Sequence, residues 1–170
     1  TQTDATENYG AQKICDLSAL APDTPVYFLD FRTADSTGLR RADNFYWLST
    51  KPDVLNEEKS TWYVTPTKSF ADFRALNQLP RAAVTYDVSY RRTRNGVQAR
   101  VHLDNNGDHL AFFIEMKIAG ANSNCSLTPV IWSDNYVSLP PHSGGFYIAD
   151  FPAAEKPRLE LRGWNVAFKR

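Results

Sequence analysis

Apolar and polar residues alternate with a period of two through most of the second half of the chain. Val84, Tyr86, Val88 and Tyr90 alternate with Thr85, Asp87 and Ser89, the pattern of a strand with one face buried. Asn95-Gly96 follows, and both residues accept the positive φ of a tight hairpin turn. Val97, Ala99, Val101 and Leu103 then alternate with Gln98, Arg100 and His102, completing a predicted hairpin. After Asp104-Asn105-Asn106-Gly107-Asp108 the alternation resumes at Leu110, Phe112, Ile114, Met116 and Ile118. Val130 to Trp132, Tyr136 to Leu139 and Phe146 to Ile148 are further short β-rich runs. Arg158 to Phe168 closes the chain, interrupted at Gly163, where a bulge is expected. Seven short strands with turns every 8–12 residues predict an antiparallel immunoglobulin-like β-sandwich over residues 81–170. Its expected core holds Val88, Val101, Phe112, Ile114, Trp132, Leu161 and Val166.

The first half reads differently. Ile14 to Leu17, Val26 to Phe31 and Asn44 to Leu48 are strand-like, with Asp35-Ser36-Thr37-Gly38 as the turn between the last two. Ser69 to Leu76 suggests a short helix, with Ser69 as N-cap and Asp72 completing a capping-box-like pair. Leu79-Pro80 ends it and marks a boundary. Three strands cannot enclose a two-layer core. Residues 1–80 are therefore expected to be the C-terminal part of another sandwich plus a linker helix, with Val26, Phe28, Phe45 and Trp47, or their alternating neighbours, left bare. The fold class is all-β.

Composition narrows the function classes. Among 170 residues, 19 Lys and Arg balance 19 Asp and Glu, leaving no net field to recruit nucleic acid or an anionic membrane. No apolar stretch reaches the roughly 18–20 residues of a membrane span. Two cysteines, Cys15 and Cys125, are too few for a disulfide scaffold. They could pair, although a buried free cysteine is the commoner case. Asn124-Cys125-Ser126 is an N-glycosylation sequon and favours an extracellular setting. The chain starts at Thr1 without Met, so a processed start or a piece of a longer polypeptide is expected.

Candidate chemistry is sparse. His102, His109 and His142 lack metal-ligand spacing and read as surface residues. Residues 104–108 have the composition of a calcium loop but lack its distal glutamate, and read as a turn. Glu115 interrupts an apolar run, yet falls on the polar side of the alternation. No catalytic pair, metal set or cofactor motif emerges. Tryptophans are the remaining lead, because a flat ring stacks on a pyranose. Trp47 and Trp132 sit in apolar runs and read as core, whereas Trp62 and Trp164 are the sugar-contact candidates.

Several stretches carry a resemblance. Asp43-Asn44-Phe45-Tyr46-Trp47-Leu48-Ser49-Thr50-Lys51-Pro52-Asp53-Val54-Leu55, continued by Ser60 to Pro66 and Phe70 to Leu76, resembles the exo-β-D-glucosaminidases of glycoside hydrolase family 2. Pro129 to Pro140, with Trp132-Ser133-Asp134-Asn135-Tyr136 at its centre, is similar to another stretch of that family. Its Asp-Asn-Tyr part is shared with β-mannosidases. The chain departs from the family at Pro140-Pro141-His142, where Pro-Gly-Glu is usual, and at Asn56 to Lys59. The resemblance implies the C-terminal region of a secreted enzyme that removes glucosamine from chitosan oligosaccharides. It implies as partners the remainder of a longer glycosidase polypeptide or a companion chain, and chitosan oligosaccharide. The family's two catalytic glutamates lie in a (β/α)₈ barrel, and no position here matches them, so the chain alone is expected to be inactive. The alternatives are a free-standing carbohydrate-binding or protein-interaction module, or the same region of a β-mannosidase.

Overall fold

A computed structural model describes residue 16, residues 22–153 and residues 155–170. The chain divides into two compact units, residues 1–75 and 76–170. The expected strand at Ile14 to Leu17 lies outside the described residues except for Asp16, and Cys15 lies outside them too. Cys125 is exposed rather than buried.

In the first unit, β1 (Val26–Ala34) and β2 (Arg40–Ser49) form an antiparallel ribbon. Its turn is the expected one. Gly38 takes φ 82° and donates its N–H to the Asp35 carbonyl at 2.9 Å, while the Asp35 carboxylate accepts from the Thr37 and Leu39 N–H groups. Val26 is buried and Phe28 stacks on Phe45 at 5.7 Å. Trp47 is 38% exposed, and Phe31 and Tyr46 are exposed as well. The core reading of Trp47 therefore fails and the expectation that it is left exposed holds: among the described residues its sheet has two strands, too few to cover an apolar face. Val26, expected bare with it, is instead buried.

The predicted helix at Ser69 to Leu76 is absent. Ser69 ends β4 (Thr67–Ser69), which pairs with β3 (Val54–Leu55), and only a 3₁₀ turn forms at Arg74–Gln78. Tertiary bonds capture the backbone that a helix would need. The Asp53 carboxylate takes the Ala71 N–H at 2.6 Å. The Ser49 hydroxyl donates to the Asp72 carbonyl at 3.0 Å and accepts from the Asp72 N–H at 3.3 Å. The Asp72 carboxylate caps the Arg74 N–H and pairs with its guanidinium, instead of facing Ser69.

The second unit is a two-layer sandwich. One sheet runs β12 (Val166–Lys169), β5 (Ala82–Thr93), β6 (Gly96–Asn105), β10 (Ser143–Phe151), β8 (Ile131–Trp132). The other runs β11 (Pro157–Arg162), β7 (Ala111–Gly120), β9 (Val137–Leu139). Ala82, Val84, Val101 and Leu103 of the first sheet meet Ala111, Ile114, Met116, Val137 and Leu139 of the second. Val97, Ala99, Ile118, Ala149 and Phe151 form a second cluster. Trp132, Val88 and Leu159 pack against both clusters. Leu161 and Val166 are partly buried against the first. Phe112 is buried but stacks edge-on against Trp164 at 6.3 Å.

Two details refine the sequence reading. The last predicted strand is two, joined by a crossing between the sheets. There is no simple bulge at Gly163: β11 pairs with β7, whereas β12 crosses over and pairs in parallel with β5. A Cβ at Gly163 would stand 2.7 Å from the Val166 side chain, so the crossing requires glycine. Asn165, buried at that crossing, satisfies the backbone groups it frees. Its Nδ2 donates to the Pro80 and Leu110 carbonyls, and its Oδ1 accepts from the Phe112 N–H. Buried backbone groups need such partners.

Candidate functional site

The two tryptophans selected from sequence fare differently. Trp62 sits at the apex of a tight turn closed by the Thr61 N–H to the Val64 carbonyl at 2.8 Å and by a Ser60–Thr65 hydroxyl bond at 2.7 Å. Its ring is 93% exposed and meets Tyr63 edge-on at 4.8 Å. Trp164 is 53% exposed, and its indole Nε1 donates to the Leu76 carbonyl at 3.0 Å. A residue as bare as Trp62 contributes little to folding. Trp62→Ala is expected to change stability by no more than about 0.5 kcal/mol, read by chemical denaturation; a loss above about 2 kcal/mol would mean that the ring is packed.

Asn124 lies in the exposed turn after β7, at φ 56°. Its N–H reaches the Gly120 carbonyl at 3.0 Å. Its side-chain oxygen accepts from the Arg158 guanidinium. The Glu155 carboxylate holds the same turn, accepting from the Ser123 hydroxyl at 2.5 Å and from the Asn122 and Ser123 N–H groups. Those bonds, led by the Ser123 hydroxyl, draw the Glu155 pKa below its ordinary 4.5. A lowered carboxylate pKa stabilises the fold above the unfolded pKa, and that contribution is lost as pH falls through the folded value. Acidification below the ordinary glutamate pKa is thus expected to loosen residues 122–123, seen as faster amide exchange. Glu155→Gln should remove this pH dependence; identical profiles would contradict it.

The histidines are separate. His102 stacks on Phe146 at 4.3 Å, His109 offers its carbonyl to Asn105, and His142 Nε2 lies 3.0 Å from Asp108. Among the described residues no three His, Cys, Asp or Glu side chains gather into a metal-binding set. Residues 104 and 105 end β6, residues 106–108 lie in its link to β7, and Asn105 is buried. A hollow of about 340 Å³ near Val97, Pro129, Ile131 and Phe151 has a mainly apolar lining.

The densest chemistry lies where β7 meets β9, and sequence reading saw only one part of it. Glu115 is on the outer face of β7, as expected. Its Oε1 accepts the Tyr136 hydroxyl at 3.0 Å, and this bond raises the Tyr136 pKa. The Tyr136 ring is 50% exposed and lies 5.2 Å from that of Phe113. Both residues hold left-handed backbone, Phe113 at φ 54° and Tyr136 at φ 55°. For bulky side chains this is strained, at about 1–3 kcal/mol each, and needs support from its surroundings. The neighbouring Asn135 supplies it: its Oδ1 accepts from the Met116 N–H at 2.8 Å and its Nδ2 donates to the Met116 carbonyl at 2.9 Å. A side chain thus does the work of a strand residue where β9 has not yet begun, and the β7–β9 register shifts further along, between Ala111 and Ile114. Ser138 Oγ accepts the Phe113 N–H at 3.2 Å.

Comparison with known proteins places this geometry in context. The family described as the exo-β-D-glucosaminidase Ig-fold domain matches residues 62–166. The chain is 37% identical over 160 residues to an exo-β-D-glucosaminidase of Arthroderma benhamiae, covering 94% of this chain and 18% of that protein. It is 36% identical over 144 residues to one of Hypocrea jecorina, covering 82% and 15%. The crystal structure of Amycolatopsis orientalis exo-chitosanase CsxA superposes with a TM-score of 0.78 at 32% identity, over 86% of this chain and 18% of that one. A variant of that enzyme in complex with PNP-β-D-glucosamine gives 0.77 at 33% identity, over 84% and 18%. The chain spans 14–18% of the length of the curated relatives it matches.

Proposed function

The chain belongs to the exo-β-D-glucosaminidase Ig-fold domain family, and on that premise we propose that it is the accessory, non-catalytic C-terminal region of a secreted exo-β-D-glucosaminidase acting on chitosan oligosaccharides. One observation carries the proposal: relatives named exo-β-D-glucosaminidase align along 82–94% of this chain, yet the chain accounts for only 14–18% of each. The partner is then the remainder of a longer glycosidase polypeptide. The solvent exposure of Phe31, Tyr46 and Trp47 on β1 and β2 supports a further division, in which that ribbon closes a sandwich whose other strands lie elsewhere in the polypeptide. The names of the relatives favour glucosamine over mannose as the sugar. An exposed sequon at Asn124 supports secretion.

The test is turnover. Retaining hydrolysis needs two carboxylates about 5–5.5 Å apart around the scissile bond, and Glu115 faces a tyrosine instead of a second acid. The purified chain is expected to release nothing from aryl β-D-glucosaminides or chitosan oligosaccharides. Activity that follows the chain through every purification step would overturn the proposal.

A further inference from the structure

We propose that the Phe113–Tyr136 ring pair and the Glu115 carboxylate form a non-catalytic binding site for a single glucosaminyl residue, with Tyr136 stacking on the sugar face and Glu115 taking its ammonium group. The choice of sugar rests on the accessory-region reading above; the site itself rests on geometry.

Three observations converge. Two bulky aromatic residues are held in left-handed backbone at one place, and such strain collects where a side chain must be presented in a fixed direction. The rings lie 5.2 Å apart, with half of Tyr136 open to solvent. Glu115 Oε1 accepts the Tyr136 hydroxyl, which holds the carboxylate beside the ring. Lys117 shares the outer face of β7, and Arg162 stands opposite Glu115 in the β11 register. Among the described residues, however, neither reaches Glu115 at ion-pair distance, and Arg158 is engaged with Glu160. The carboxylate thus has no cation within ion-pair distance among the described residues and can accept from an ammonium group, whose charge-assisted hydrogen bond is stronger than a neutral one. An N-acetylated sugar offers the same stacking face without that charge.

The experiment titrates the 170-residue chain with a β-1,4-linked glucosamine tetramer and with its fully N-acetylated counterpart, at low salt, by calorimetry. Saturable binding of the tetramer is expected, about tenfold tighter than that of the acetylated form. Glu115→Gln should abolish the preference, and Tyr136→Asn, a residue that tolerates left-handed backbone, should weaken both ligands. Glu115→Gln is a near-isosteric change at a partly exposed position, so it keeps the test decisive if the tyrosine variant misfolds. No saturable binding by the unaltered chain, or a preference that survives Glu115→Gln, overturns the site. Turnover of the tetramer would instead sink the accessory-region reading, so the two failures are distinct.

Discussion

Asn105→Ala is expected to destabilise the sandwich by about 3–5 kcal/mol. The Asn105 side chain has no solvent exposure. The two hydrogens of its Nδ2 are shared among the carbonyls of His109, Leu139 and Pro140 at 2.9–3.0 Å, and its Oδ1 accepts the Gly107 N–H at 3.3 Å. One amide thus ties the β6–β7 turn to the end of β9. Alanine leaves those groups without their partner in the interior, and each buried orphan costs about 1–3 kcal/mol. Asn105→Asp should be no better, because an ionised carboxylate has no hydrogen to donate to those carbonyls. Urea denaturation with an unchanged slope measures the effect. A loss below about 1 kcal/mol would mean that water reaches the site and replaces the amide.

Trp132→Ala is expected to cost about 3 kcal/mol, at the low end of the range for large aromatic core residues because the ring is only partly buried. Its effect comes from position. Trp132 packs against both core clusters, and its strand is the edge of the five-stranded sheet, paired to β10 at Ala149. Removing the ring opens a void shared by the two clusters. Trp132→Phe should recover much of the loss. A near-neutral alanine variant would show that the clusters close over the gap, and that the ring is free to act as a surface residue.

These two residues mark how far the sequence could be read. The strands of the sandwich were legible because each buries one face, so apolar side chains recur at every second position. Their turns were legible because glycines sit where φ turns positive, at Gly38 and Gly96, and Asp35 caps its own turn, although the β5–β6 loop is Arg94-Asn95, one residue earlier than the expected Asn95-Gly96, with Gly96 opening β6 opposite Thr93. Trp132 was legible as an apolar residue in a β-rich run. Asn105 was not, since an asparagine beside a glycine reads as a turn residue, and nothing local says that its amide turns inward. The same holds for Asn135 and Asn165, each of which completes backbone hydrogen bonding far away in sequence.

The helix predicted over residues 69–76 failed for a related reason. Its capping pattern was real in composition, but Ser49 and Asp53, about twenty residues earlier, take the backbone groups first. At the candidate site, Glu115 was visible as a break in an apolar run. Its partner Tyr136 was not, because their meeting depends on a register shift between β7 and β9. Trp62 is exposed, while Trp47, read as core from its apolar run but as bare from the missing facing sheet, is exposed where its sheet has two strands among the described residues.

The mass of the native polypeptide that carries this sequence tests the central claim most directly, read by immunoblot with an antibody against the sandwich. The accessory-region account predicts a single polypeptide several times heavier than the 19.2 kDa of this chain, which co-purifies with glucosaminidase activity. A mature native protein of 19.2 kDa, separate from any such activity, would contradict it.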